Sequence, residues 1–95
     1  MTTSEDWTWE FRERATDAFE RLETDTQQRI VSKLDDIVSD EWRDPGEYVE
    51  PLTGVPHGKI RVGNFRLGAH ADHETETLVI YTIEHRSGAY KPGDD

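Results

Sequence analysis

The apolar residues of this chain change period twice, and that change constrains the fold more than any other feature of the sequence. Trp7, Trp9 and Phe11 alternate with Thr8 and Glu10, the period of a strand with one buried face. Ala15, Ala18, Phe19 and Leu22 then fall at i, i+3, i+4 and i+7, one face of a short helix. Thr24-Asp25-Thr26-Gln27 reads as a capping box, with Thr24 as the cap and Gln27 reaching back. Behind it Ile30, Val31, Leu34, Ile37 and Val38 form an apolar stripe that extends to Trp42, and a helix is expected over 25–41.

From residue 43 the pattern returns to period two. Arg43-Asp44-Pro45-Gly46 stops the helix, since proline disfavours helical geometry before it and glycine permits a turn. An ordered loop is expected from there to Gly58. Lys59-Ile60-Arg61-Val62 and Phe65-Arg66-Leu67-Gly68-Ala69 each alternate apolar with polar, and Gly63-Asn64 between them suits a tight hairpin turn. Leu78-Val79-Ile80-Tyr81-Thr82-Ile83 is apolar nearly throughout, as a central strand is, and Asp72-His73-Glu74-Thr75-Glu76 before it is a solvent-facing loop. The expected order is β-α-α-β-β-β in a single α+β domain spanning 1–95. Two N-terminal helices pack on one face of a largely antiparallel four-stranded sheet.

Composition narrows the chemistry. Ninety-five residues allow one core, burying roughly 60–65% of the unfolded surface. The chain has no cysteine, which excludes disulfides, thiolate nucleophiles and cysteine-based zinc sites. No apolar run approaches the ~20 residues that cross a bilayer. The N-terminus is polar and lacks the basic-then-apolar layout of a signal peptide, so a soluble, cytoplasmic protein with no membrane partner is expected.

The formal net charge is −10, unevenly spread: residues 1–50 hold 15 acids and 6 bases, whereas residues 57–91 hold 4 acids and 5 bases. Only three of the 11 basic residues are lysine. An acid-rich, lysine-poor surface is typical of proteins from salt-accumulating halophiles.

Strand geometry makes a sharper claim. With Ile60 and Val62 facing the core, Lys59 and Arg61 share the opposite face, and with Phe65 and Leu67 inward Arg66 joins them. Arg86 follows the end of the last strand, with Tyr90 four residues on. Clustered cations repel, so such a patch points to a bound anion, and arginine's planar fork suits a phosphodiester. The bland reading is that these residues solvate an exposed sheet face. His70-x-x-His73 lies amid acids with no further ligand at clear spacing, so no metal is expected. His57 is assigned to the loop leading into the hairpin. Trp7, Trp9 and Trp42 are read as core and helix-end packing, and Tyr81 as packing on the central strand.

The ordered combination of Pro51-Leu52-Thr53-Gly54, Lys59-Ile60-Arg61-Val62-Gly63-Asn64-Phe65-Arg66, Leu78 through Arg86, and Tyr90 resembles the RelE/ParE toxin superfamily over about residues 7–91. RelE-like members cut mRNA in the ribosomal A site, without metal or cofactor, and pair with a RelB-like antitoxin. ParE-like members inhibit gyrase and lack the catalytic set. Carried over, the resemblance implies Lys59, Arg61, Arg66, Arg86 and Tyr90 as catalytic residues; Lys59, Arg61, Arg66, His85 beside Arg86, and Lys91 are expected to contact the RNA. The spacing of His85, Arg86 and Tyr90 is most similar to archaeal members. Arg61 stands where the best-known bacterial form has lysine, and the C-terminal helix of some members is not expected after Tyr90.

The reaction so implied is attack of an RNA 2′-hydroxyl on the adjacent phosphate, with Lys59 or Tyr90 as general base. Either side-chain type, with an ordinary pKa near 10, is deprotonated in only about one part in a thousand at pH 7. Positioning of the RNA by the ribosome therefore has to supply much of the rate. A gyrase-inhibiting toxin and an inactive family member are the alternatives.

Overall fold

The computed structural model describes residues 7–54 and 57–85. Strand β1 (Thr8–Phe11) leads into helix α1 (Glu13–Glu20) and helix α2 (Thr24–Ser39). After a 3-10 turn at Pro45–Tyr48 come β2 (Glu50–Pro51), β3 (Gly58–Val62), β4 (Phe65–Asp72) and β5 (Thr77–His85). The strands form one sheet in the order β1-β5-β4-β3-β2, with β1 parallel to β5 and every other pair antiparallel. The α+β architecture is as expected, with five strands in place of four because the segment read as a loop contributes β2 at the edge. Glycine at position 58 permits this. A Cβ there would lie 2.2 Å from the Glu50 carbonyl oxygen and 2.6 Å from Val49 Cγ1.

The core is the layer between α2 and the sheet. Ile30, Leu34 and Ile37, spaced i, i+4, i+7, are fully buried against Ile60, Leu67, Leu78 and Ile80. Each such side chain contributes about 1.5–3 kcal/mol relative to exposure. Trp9, Phe11 and Phe19 close one end, with ring centroids 5.2 and 4.9 Å apart along the series.

The helix ends differ from expectation for local reasons. No capping box forms: Glu23 holds the N-cap position, and the Gln27 side-chain amide donates instead to the Phe19 carbonyl at 2.8 Å. That carbonyl lies in the last turn of α1, where it also accepts from the Leu22 amide at 3.1 Å, so Gln27 clips the two helices together. Helix α2 stops at Ser39, not 41, because Asp40 turns out of it. Its Oδ1 accepts from the Trp42 and Arg43 amides at 2.7 and 3.2 Å, and the Tyr48 hydroxyl donates to its Oδ2. This turn throws Trp42 into solvent at 91% exposure, so it packs on neither core nor helix end. Trp7 and Trp9 do pack. Trp7 is buried with its ring edge-on to His73, and Trp9 Nε1 donates to Asp35 Oδ1 at 2.9 Å.

Two backbone features set the sheet surface. Gly63 has φ +59° at the first turn position between Val62 and Phe65, which are paired, and this matches a two-residue type II′ hairpin. Farther along, the β4–β5 register steps from Gly68 opposite Thr82 to Ala69 opposite Ile80. Tyr81 is therefore the extra residue of a β-bulge.

Candidate phosphate-binding face

The sheet face turned away from the helices carries the cations. Register places Arg61 directly opposite Arg66, Lys59 opposite Gly68, and Glu84 on the other flank of Arg66. Directly opposed residues have Cβ atoms about 4.5–5.5 Å apart, and like charges so placed destabilise a sheet. Arg61 is exposed, whereas Arg66 is half-buried and its Nε is buried with no hydrogen-bond partner among the described residues. Lys59 is mostly covered, with Nζ 4.0 Å from Glu50 Oε1 on β2. The three cations predicted from period two are thus brought together, and an edge-strand carboxylate beside Lys59 offsets part of their charge.

Arg61 also lies at the rim of a cleft shared with α2, whose wall includes Arg29 and Lys33. Cationic side chains therefore continue from the sheet face around the hairpin toward that helix, interleaved with acids. Asp25 and Asp36 line the same cleft.

Beside the cations is a group that period-two reasoning did not reveal. The His57 ring lies 5.3 Å from the Tyr81 ring, and the Arg12 guanidinium stands 5.9 Å from the Tyr81 centroid. A Cβ at Gly68 would meet Thr82 Oγ1 at 2.6 Å and His57 Cδ2 at 3.6 Å, so Thr82 crowds the bare backbone at Gly68 and the His57 ring lies over it at ordinary contact distance. Tyr81 reaches His57 because the bulge frees it from strict alternation. Arg12 arrives from the β1–α1 junction, where its amide donates to the Ile80 carbonyl at 2.8 Å.

His85 is on the other side. It pairs with Phe65, their rings edge-on at 4.9 Å, and lines a cleft with Thr26 and Arg29 of α2. It does not share the face of Lys59, Arg61 and Arg66. Arg86, Tyr90 and Lys91 lie outside the described residues. His73 Nε2 is 2.7 Å from Asp44 Oδ2, tying the β4–β5 turn to the 3-10 turn. Among the described residues no cluster of three or more His, Asp or Glu side chains is arranged to hold a metal ion. Within the same residues no helix is long and apolar enough to cross a membrane.

No protein-family model matches the chain, and no curated protein matches it by sequence. Solved structures do. A chain of the toxin–antitoxin complex RelBE2 from Mycobacterium tuberculosis is 26% identical, with a TM-score of 0.72, covering 84% of this chain and 98% of that one. The chain has the RelE-like fold. Two further RelE-like structures are more distant in sequence. The isolated RelE toxin of E. coli is 18% identical with a TM-score of 0.64, covering 83% of each chain. A chain of the archaeal RelE–RelB complex of Pyrococcus horikoshii is 17% identical with a TM-score of 0.64, covering 84% of this chain and 94% of that one.

Proposed function

We propose that this RelE-like chain is the toxin of a toxin–antitoxin pair and that it cuts mRNA on the ribosome, in the cytoplasm, without metal or cofactor. The observation that carries the reading is the register that holds Arg61 opposite Arg66 beside Lys59. Opposed cations cost stability, and a bound phosphodiester offsets that cost. The similar structures include toxin–antitoxin complexes, which supports a RelB-like antitoxin as partner.

In the proposed reaction the RNA 2′-oxygen bonds to the adjacent phosphorus and the bond from phosphorus to the 5′-oxygen breaks. The products are a 2′,3′-cyclic phosphate and a 5′-hydroxyl. Arg61 and Arg66 hold the non-bridging oxygens, whose charge grows in the transition state. Arg86 is assigned to the phosphate or the leaving oxygen, and Lys59 and Tyr90 to the proton transfers. The ribosome holds the RNA in register, which replaces binding energy that an acidic protein cannot supply alone.

The test is purified protein mixed with a defined mRNA, with and without ribosomes. Cleavage within codons is expected only with ribosomes, and Arg66→Ala should slow it by roughly 100-fold or more. Equal cleavage of naked RNA would remove the ribosome from the proposal.

A further inference from the structure

The cation face supplies phosphate contacts and a proton donor, yet the reaction also needs an acceptor for the 2′-hydroxyl proton. Lysine and tyrosine serve poorly near neutrality, since their ordinary pKa values lie near 10. Imidazole, ordinarily titrating at about 6.5, is the side chain suited to that task.

We propose, building on the nuclease reading above, that His57 is the proton acceptor, held by Tyr81 over the bare backbone at Gly68. Three observations place it. Its ring stands 3.6 Å from where a Gly68 Cβ would project, so it overlies the residue directly opposite Lys59. Arg66 lies two residues along the same strand and face, about 7 Å away by strand rise. The ring is tilted 35° against Tyr81 at 5.3 Å, and Arg12 backs Tyr81. A phosphate on Arg61, Arg66 and Lys59 therefore has its ribose within reach of His57.

The step balances as follows. The 2′-hydroxyl gives its proton to the imidazole as the 2′-oxygen bonds to phosphorus. The 5′-oxygen departs with the electron pair of the broken bond and takes a proton from the Lys59 ammonium. The imidazolium then returns its proton to solvent and Lys59 regains one.

Glycine at 68 is part of the device, because any side chain there would meet Thr82 Oγ1 at 2.6 Å and occupy the space beneath His57. The charged and titratable groups facing His57 come from every neighbouring element. Tyr81 on β5 meets its ring with Arg12 behind it, His70 and His73 line the same small cleft, and by register Lys59 on β3 and Arg66 on β4 share the sheet face, with Glu50 on β2 beside Lys59.

The experiment measures ribosome-dependent cleavage by wild type, His57→Ala and His57→Gln between about pH 5.5 and 8.5. Circular dichroism melts confirm that each variant is folded. Wild type is expected to gain rate as pH rises through the imidazole range. Both variants should lose roughly 100-fold or more, together with that rising limb. Added imidazole should restore part of the rate to His57→Ala. A folded variant that cleaves within about twofold of wild type, with the rising limb intact, overturns the assignment. Absence of cleavage by wild type itself would instead overturn the nuclease reading on which it rests.

Discussion

Arg61 and Arg66 were legible in the sequence because period two is a rigid consequence of strand geometry. Their exact opposition needed only the two-residue turn at Gly63-Asn64. On the proposed function this pairing is a stability cost held for phosphate binding, and it predicts a trade. Arg61→Gln should relieve the repulsion, by about 0.2–1 kcal/mol. In a chain of this size that corresponds to a melting temperature higher by roughly 1–8 °C. The same variant should cleave mRNA more slowly, and parallel melting and cleavage assays check both arms. His57 and Tyr81 were not legible as partners, because a one-residue bulge opposite Gly68 and Ala69 has no composition signature in Leu78–Ile83. Tyr81 reads as packing because it stands in a nearly continuous apolar run. Trp42 misled for a related reason. It continues the apolar spacing of α2, but Asp40 accepts two amide hydrogens ahead of it and ends the helix first.

At the scale of elements, both helices, β1, the β3–β4 hairpin and β5 were readable from periodicity, while β2 was not. Two residues, one of them proline, carry no periodic signal, and β2 exists because Gly58 lets the edge approach. The end of α2 is fastened to the following 3-10 turn through Asp40 and Tyr48, and this joint is sensitive to pH at both extremes. The Tyr48 hydroxyl, and then the Trp42 amide, hold the Asp40 carboxyl below its ordinary value of 3.8. The Asp40 carboxylate, and then desolvation, push the Tyr48 phenol above its ordinary 10.0. A lowered carboxylate contributes stability above its unfolded pKa and loses it as pH falls through the folded value. A raised phenol contributes below its unfolded pKa and loses it as pH rises through the folded value. Tyr48→Phe should therefore lower the melting temperature most between the ordinary values of 3.8 and 10.0. Wild type and variant should converge in stronger acid and in stronger base. Melting curves across pH read this directly, and a constant offset at all pH values would contradict the assignment.

At the scale of the whole molecule, a net charge of −10 surrounds a face that gathers three cations. Self-repulsion of the acids opposes folding at low salt, and at ~1 M salt the Debye length falls to about 3 Å, screening distant charges while sparing contacts. The melting temperature should accordingly rise from low salt to molar KCl, and equal stability in both would refute a halophilic origin. On the proposed function the cation face cleaves mRNA under translation. The most direct measurement is induced expression of wild type beside Arg66→Ala and Arg86→Ala in a host of suitable salt, with 5′ ends mapped on cellular mRNA. The expected result is growth arrest with new 5′ ends inside translated codons, both lost in either variant. Growth arrest without mRNA cleavage would contradict it.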